Sequence, residues 1–453
     1  MWTKKYRDGG NDGVMIARIT TGRLRDMNGT TTAGFGKNAT RVLSTLVVLM
    51  IVVFATVPAA LASFAPRMVV DVDSGRVLAH QDAFQRWYPA SLTKLMTAYV
   101  AFRAVKAGEM TLQSPVTVSK NAAAEPPSKM YFAPGSTLTL DAALKIIMVK
   151  SANDVATAIG ESVAGSENAF IARMNDEAAR LGMTGTRFVN AHGLPGGGQY
   201  TNARDMAVLA VALRREFPQY ASYFALEGIR SGDRTYRNFN LLIGRYRGAD
   251  GMKTGFICSA GFNQVSSATR SGRTVVVVVL GAASLRDRAE ESARLLEEGL
   301  KASGRGKPTL ANLRPYGENP DRLIDLRPVI CTAEARAERA SERGQNGIIM
   351  RSPLLREPDR PTRYVEANLG GAVGTARIDP AVPALSRVPI PVRRPDDAVI
   401  AVAATTSPMT TGFDVTEARA RPDTSAGPRA GAVNTQPDRQ AATVPIPVPR
   451  PQR

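Results

Sequence analysis

Histidine, cysteine and tryptophan are scarce in this chain, with two residues of each among 453. The spacing of Cys258 and Cys331 does not suggest a metal site, and we expect neither a metal nor a cofactor. The net charge is +18, but aromatic residues make up only 6% and the arginines are scattered among acidic residues and prolines. With no basic stripe and no aromatic platform, we expect no nucleic-acid partner. Attraction to an anionic envelope surface is the simpler explanation of the charge.

An apolar run near the N-terminus predicts export. Lys37 and Arg41 precede the run Val42–Val57, and the small-residue stretch Ala60–Ala62 follows it. The run has about 16 residues, whereas a membrane-spanning helix needs about 20. The order basic, apolar, small is that of a secretory signal, which predicts cleavage after Ala62 and a periplasmic protein. A signal retained as an inner-membrane anchor is the alternative.

Two polar residues at the start of an apolar helical pattern indicate a nucleophile and its base. Ser91 and Lys94 are spaced i, i+3, so on a helix they share one face. Pro89 marks the boundary before that helix, and a serine near a helix N-terminus lies where free N–H groups stabilise an oxyanion. Lys94 is a base only when neutral. We therefore expect burial and a second cation, Lys253, to lower its pKa well below the usual value of about 10.4.

Ser151-Ala152-Asn153 lies between the helical patterns Leu144–Val149 and Asp154–Val163. One interpretation makes Asn153 the N-cap of the second helix. In the functional interpretation, Ser151 is a proton relay and the side-chain amide of Asn153 binds a substrate carbonyl.

Lys253-Thr254-Gly255 precedes two strand patterns, Phe262–Ala268 and Thr274–Leu280, which predict a hairpin in a central sheet. Gly255 would allow a ligand backbone to approach closely. Lys253 and Thr254 would present a charge and a hydroxyl to an acidic terminus. The alternative is a solvated lysine on a sheet edge. Occurring in this order, the three motifs predict an acyl-transfer site that uses serine and lysine and needs no histidine.

These residues resemble the penicillin-recognising serine enzymes, and among them the low-molecular-mass D-alanyl-D-alanine carboxypeptidases of peptidase family S11. The similarity covers about residues 65–302 and is carried by the stretches Tyr88–Lys94, Val149–Ala156, Met174–Gly182, Asn190–Leu194, Thr201–Ala210 and Asp250–Asn263. The resemblance implies an α/β fold of the serine transpeptidase type. In that fold an antiparallel sheet is flanked by helices and joined to a helical lobe.

The resemblance also implies a role for each motif residue. Ser91 would be acylated, Lys94 would be the general base, and Ser151 would relay a proton to the leaving D-alanine. The residues implied to bind substrate are Asn153, Lys253, Thr254, Gly255, Phe256 and Arg288, with the backbone N–H groups of Ser91 and Phe256 as the oxyanion hole. Arg286 lies two residues from Arg288 and makes that assignment ambiguous, and His192 looks structural in the family.

The function implied is a serine-type D-Ala-D-Ala carboxypeptidase that trims peptidoglycan stem pentapeptides and is inhibited by β-lactams. Three alternatives stay open: a DD-endopeptidase, a serine β-lactamase and a non-catalytic wall-binding protein. No E-x-x-L-N-like segment follows Asn153, which argues against a class A β-lactamase. Ala152 and Ile257 depart from the residues common in the family, glycine and a hydroxyl residue.

Composition predicts four regions. Residues 1–62 are an N-terminal extension with the signal, and 63–302 are the catalytic domain, entered by a hairpin of Met68–Asp73 and Arg76–Ala79. In an exported protein a cysteine pair indicates a disulfide, so Cys258 and Cys331 would dock a short segment, 303–345. Residues 346–453, rich in Pro, Arg and Ala, are predicted to be a disordered tail. The sequence predicts neither the second β domain nor the amphipathic helix with which family members often end.

Overall fold

The computed structural model describes residues 65–345 and 347–374, together with the two residues Ile400–Ala401. The predicted signal peptide and the predicted tail beyond residue 374 therefore lie outside the described residues, apart from that pair. Within the described part, none of the helices has the length and apolar character needed to cross a bilayer.

Strands and helices are numbered here in chain order. The strands are β1 Arg67–Asp71, β2 Val77–Gln81, β3 Pro115–Thr117, β4 Thr137–Thr139, β5 Gly228–Ser231, β6 Arg234–Arg237, β7 Ala249–Ile257, β8 Gly261–Arg270, β9 Arg273–Ala282, β10 Ile324–Asp325, β11 Arg343–Gly344, β12 Gly347–Ile348, β13 Tyr364–Glu366 and β14 Ile400–Ala401. The α-helices are α1 Lys94–Lys106, α2 Lys120–Ala124, α3 Leu140–Val149, α4 Asn153–Ala164, α5 Glu167–Arg180, α6 Ala203–Glu216, α7 Leu285–Lys301, α8 Arg327–Ile330 and α9 Ala333–Ser341.

A five-stranded antiparallel sheet in the order β2-β1-β9-β8-β7 forms one part of the molecule. Both predicted hairpins are confirmed, as the pairs β1–β2 and β8–β9. Six consecutive residues of β9, Val275–Leu280, are buried, so both faces of the sheet are covered. Helices α6 and α7 contact β9. The sheet ends at β7, which has β8 as its one strand partner among the described residues.

The helical lobe is built around α1, in which every residue from Leu95 to Phe102 is buried. An apolar helix of this kind must be enclosed by other elements, and α1 contacts α4, α5 and α6. The predicted fold class is confirmed: an antiparallel sheet flanked by helices, with a helical lobe beside it. Because residues 90–93, immediately before α1, contact β7 and β8, the N-terminus of α1 lies at the junction of sheet and lobe, where ligand sites commonly form.

Residues 303–345 and 347–374, called the strap below, contact both the sheet and the helical lobe. On the sheet side, the Leu326 N–H donates to the Ser259 carbonyl at 3.0 Å. On the helical side, the Gly370 N–H donates to the Thr137 carbonyl of β4 at 2.8 Å. The strap therefore connects the turn that follows β7, the strand containing the third motif, with the β3–β4 hairpin of the lobe.

The prediction that the tail is disordered from residue 346 is wrong for residues 347–374. β13 pairs in parallel with β5, and the Tyr364 ring packs where Gly228 has no side chain: a Cβ there would lie 2.6 Å from Tyr364 Cδ1. Leu355 and Ala367 are buried. Average composition missed these contacts because a few anchoring residues, rather than overall hydrophobicity, order the segment.

Candidate active site

Ser91 lies in a short 3-10 turn, Ala90–Thr93, immediately before α1. Ala90 has φ of 47°, in the left-handed region that residues other than glycine seldom adopt. The turn is supported from the sheet, because Asn263 of β8 donates its Nδ2 hydrogen to the Tyr88 carbonyl at 2.9 Å. Lys94 is the first residue of α1, and its Nζ lies 3.2 Å from Ser91 Oγ. The predicted nucleophile and base are therefore in contact.

Lys94 is fully buried and has two further partners. Its Nζ donates to Asn153 Oδ1 at 2.8 Å and to the His192 carbonyl at 2.7 Å. A neutral amine has two N–H groups and one lone pair. With both N–H groups used by these acceptors, the lone pair of a neutral Lys94 is available to the Ser91 hydroxyl, which is the arrangement a general base needs.

The surroundings of Lys94 favour its neutral form. Burial, and then the nearby charge of Lys253, hold the pKa of Lys94 well below its usual value, while Glu125 and Asp154 act in the opposite direction. Desolvation is the leading cause because an ammonium group without water loses its hydration free energy.

Ser151 and Lys253 form a second serine–lysine pair. Lys253 Nζ donates to Ser151 Oγ at 3.0 Å and to the Thr254 carbonyl at 2.9 Å. Burial and the charge of Arg288 lower the pKa of Lys253 to about 7. A group that titrates near neutral pH can both give and take a proton, so this pair is suited to proton transfer.

Gly255 brings the edge strand β7 against the Ser91 turn. A Cβ at this position would lie 3.0 Å from the backbone nitrogen of Ser91 and 3.1 Å from the Pro89 carbonyl oxygen. Any side chain here would separate the strand from the nucleophile. Phe256 follows with its side chain 41% exposed and its ring 4.2 Å from that of Phe262. The free edge of β7 can therefore accept an extended peptide next to Ser91.

Arg288 and Arg286 have different environments, which removes the ambiguity of the sequence. Arg288 is buried and donates to the Phe239 carbonyl at 2.9 Å, and burial lowers its pKa to about 9. Its charge acts on Lys253. Arg286 instead forms an ion pair at 3.0 Å with Glu342 of the strap. Of the two arginines, Arg288 is therefore the one whose charge acts on Lys253, whereas Arg286 contacts the strap.

Cys258 and Cys331 are joined by a disulfide. Cys258 follows β7 directly, and Cys331 ends α8 in the strap. The bond attaches the strap three residues beyond Gly255, at the end of the strand that faces the nucleophile.

The comparisons with known proteins agree with this geometry. A family match described as D-alanyl-D-alanine carboxypeptidase, peptidase S11, covers residues 54–284, which is half of the chain. The chain belongs to this family. Among curated relatives, it is 40% identical over 245 residues to the D-alanyl-D-alanine carboxypeptidase DacC of Escherichia coli and 37% identical over 241 residues to DacA of the same organism. Each alignment covers 52% of this chain and 60% of the relative, so the chain spans about three fifths of their length.

A solved structure of penicillin binding protein 6B from Escherichia coli is similar to this member of the S11 family, with a TM-score of 0.50 and 32% sequence identity. The similarity covers 52% of this chain and 77% of that one. The whole strap lies outside residues 54–284, which the family match covers.

Two structural alternatives for the motif residues are wrong. Asn153 is not the N-cap of α4: Ala152 occupies that position, while Asn153 accepts from Lys94 and donates its Nδ2 hydrogen to the Pro126 carbonyl at 2.8 Å. Lys253 is not a solvated edge lysine, because it is 1% exposed. Both side chains point into the site.

Glu125, Glu167 and His192 place three potential metal-ligating atoms within 4.8 Å of one another. The hydrogen bonds of the imidazole do not suit a metal. His192 Nδ1 accepts the Leu194 N–H at 3.1 Å, so in the neutral ring the proton is on Nε2, which faces Glu125 at 3.1 Å. A histidine that ligates through Nε2 normally has a proton on Nδ1 that it donates to a neighbouring acceptor. The cluster is a hydrogen-bonded support for the loop that contains His192.

Sequence reasoning missed Asn263 and Glu125. Asn263 is fully buried in β8, where an amide among apolar and small residues indicates a specific hydrogen-bonding role. That pattern was visible in the sequence. Glu125 carried no such signal, because it follows the short helix α2 in a stretch of alanines and prolines and reaches the site only through the tertiary fold.

Proposed function

We propose that this chain is a serine-type D-alanyl-D-alanine carboxypeptidase that removes the terminal D-alanine from peptidoglycan stem pentapeptides. The contact between Ser91 Oγ and a buried Lys94 Nζ at 3.2 Å carries the proposal, because Lys94 is held by two acceptors that leave its lone pair for the serine. Its relatives named D-alanyl-D-alanine carboxypeptidase support the substrate class.

The first step is acylation. Ser91 Oγ attacks the carbonyl carbon of the D-Ala–D-Ala bond while Lys94 accepts the hydroxyl proton. The negative charge that develops on the carbonyl oxygen would be stabilised by the backbone N–H groups of Ser91 and Phe256, which Gly255 allows to approach each other.

Release of D-alanine requires a proton on the leaving nitrogen. Ser151 Oγ would deliver it and recover a proton from Lys253, with which it is hydrogen-bonded. The C–N bond then breaks and leaves an ester on Ser91. Lys253, Thr254 and the nearby Arg288 would hold the terminal carboxylate, since the substrate's negative charge compensates the buried cations. In the second half-reaction water attacks the ester and its proton passes through Ser151 to Lys253. As the ester bond breaks, Lys94 returns its proton to Ser91 Oγ, which restores both lysines and releases the shortened peptide.

The test is release of D-alanine from a peptide ending in Lys-D-Ala-D-Ala, measured with the purified full-length chain and with Ser91→Ala. The proposal predicts release by the parent and none by the variant, which should still fold because a small polar side chain is shortened by one atom. β-Lactams should acylate the parent at Ser91 and leave slowly.

Other results would replace the proposal with one of three alternatives. Covalent binding of penicillin without D-alanine release would favour a DD-endopeptidase, which a cross-linked muropeptide dimer would then identify. Rapid penicillin turnover would favour a β-lactamase. Neither an adduct nor release would favour a non-catalytic wall-binding protein whose function depends on the Pro-rich tail.

The location belongs to the same proposal. The basic, apolar and small residues before Ala62 support export to the periplasm, where the stem peptides are. The net charge of +18 supports association with an anionic envelope surface.

A further inference from the structure

The carboxylate of Glu125 is connected to Lys94 by hydrogen bonds that do not involve Ser91. The backbone carbonyl of His192 accepts from Lys94 Nζ at 2.7 Å, and the ring of the same residue meets Glu125 Oε2 at 3.1 Å. Glu125 Oε1 accepts the Thr157 hydroxyl of α4 at 2.9 Å. His192 therefore connects Lys94 to Glu125, because its carbonyl bonds the amine and its ring bonds the carboxylate. Thr157 connects Glu125 in turn to the helical lobe.

Both sides of the His192 ring are fixed. Nδ1 accepts the Leu194 N–H at 3.1 Å, and Nε2 faces Glu125. The side chains of His192 and Glu125 are 7% and 12% exposed, so water competes little for these bonds. Because the ring and the carbonyl belong to one residue, holding the ring also limits where the carbonyl oxygen can be.

The segment that contains Glu125 also supports the second acceptor of Lys94. The Pro126 carbonyl accepts from Asn153 Nδ2 at 2.8 Å, and the Ser128 carbonyl accepts from the Asn153 backbone N–H at 2.7 Å. Residues 125–128 thus contact both residues that orient the Lys94 amine. The Glu125 side chain contacts His192, and the carbonyls of Pro126 and Ser128 bond Asn153.

Three charged groups act on Lys94 from the elements around it: Lys253 from β7, Asp154 from α4 and Glu125. Asp154 accepts backbone N–H bonds from Met130, Tyr131 and Val155, so its carboxylate serves mainly to hold that loop. Burial opposes ionisation of Glu125, but the bonds from His192 and Thr157 outweigh it, and the pKa of Glu125 is lowered. Glu125 is therefore negatively charged at neutral pH.

We propose that Glu125 is a positioning residue for Lys94: it holds His192 so that the backbone carbonyl faces the amine, and it supplies a negative charge that partly offsets Lys253. This inference rests on the proposed function. It assigns Glu125 two separable contributions, the length of its side chain and its negative charge, and two variants distinguish them. Glu125→Gln keeps the side-chain length and the acceptor oxygen but loses the charge. Glu125→Asp keeps the charge but shortens the side chain.

The experiment is the pH dependence of the rate at which a fluorescent penicillin acylates Ser91, which isolates the step that needs neutral Lys94. The full-length parent, both Glu125 variants and a control, Glu161→Gln, are compared after thermal melts establish that each is folded. Glu161 is a partly buried carboxylate of α4 that bonds Asn121 and is not among the charges that act on Lys94.

Loss of the negative charge disfavours protonated Lys94, so the acid limb of Glu125→Gln should move to lower pH by about one unit. On that limb the acylation rate relative to its own plateau should rise about tenfold. Glu125→Asp should keep the parent's acid limb, while its plateau falls about tenfold because the amine is misplaced. Glu161→Gln should match the parent in both respects.

Superimposed profiles for the parent and Glu125→Gln, with an unchanged plateau for Glu125→Asp, would overturn the inference. So would an equal shift in Glu161→Gln, which would show a general effect of surface charge. If Glu125→Gln does not fold, Glu125→Asp still tests the inference, because a plateau acylation rate equal to the parent's in that variant would contradict a positioning role. A parent that neither takes penicillin nor releases D-alanine would instead refute the proposed function, and this inference with it.

Discussion

Replacing Lys253 by methionine should abolish activity yet stabilise the protein near neutral pH. The side chain is fully buried, and burial followed by the charge of Arg288 lowers its pKa from 10.5 to about 7. Between these two values the unfolded chain binds a proton that the folded chain does not. Stability must therefore rise with pH across this window, and the destabilising effect of Lys253 is full below about pH 7 and absent above about pH 10.5.

The size of the effect follows from that shift. One pKa unit corresponds to about 1.4 kcal/mol, so at pH 7.5 the buried lysine destabilises the fold by about 4 kcal/mol. Methionine avoids this term but loses the two hydrogen bonds to Ser151 and the Thr254 carbonyl, worth about 1 kcal/mol each. The free energy of unfolding of Lys253→Met should thus exceed the parent's by about 2 kcal/mol at pH 7.5, with the difference changing sign near pH 9.

Urea denaturation of both proteins at pH 7.5, 8.5 and 9.5 measures this difference. It should fall by about 1.2 kcal/mol per pH unit, and by more if Lys94 regains proton affinity once Lys253 is gone. Lys301→Met is the matched control, because that side chain is 74% exposed, and its effect on the free energy of unfolding should not vary over this range. A difference between the parent and Lys253→Met that is constant with pH would refute the reasoning, since Lys253 would then have the same charge in both states.

Three further predictions follow from the site and the strap. The free-enzyme profile of kcat/KM for D-alanine release should decline above about pH 7, where Lys253 loses its proton, and Lys253→Arg should move this limb to higher pH; an unmoved limb would assign it to another group. Replacing Cys258 and Cys331 together by serine removes a cross-link between residues 73 positions apart, which should lower the free energy of unfolding by about 4 kcal/mol, as measured by denaturant titration. Steady-state kinetics should show that KM rises more than kcat falls. A parent-like KM would mean that the strap does not shape the edge of the site. Truncation after residue 345 should lower the urea midpoint relative to truncation after residue 374, because β13 and the contacts of Leu355 are lost; equal midpoints would show that the last part of the strap adds no stability.

The sequence by itself indicated the candidate catalytic groups and most of the elements that contain them. Ser91, in the turn before α1, and Lys94, the first residue of α1, come into contact because i, i+3 spacing is a local property. The β8–β9 hairpin follows from two apolar runs separated by turn residues. The order of the three motifs indicated the family, which the comparisons confirm. In each case neighbouring residues contain the information, because local backbone geometry and side-chain chemistry together specify the pattern.

Only the tertiary structure decided how the amine of Lys94 is held. One of its acceptors is the backbone carbonyl of His192, 98 residues away, and every residue has such a carbonyl, so no sequence pattern identifies it. The same reason applies to Glu125, which acts through another residue's ring, and to the choice between Arg286 and Arg288, which differ in the partner that packing brings to them. The ordered conformation of residues 347–374 likewise depends on a glycine in β5 that leaves room for the Tyr364 ring. Contacts between distant segments are set by how the elements pack, and that information is not local in the chain.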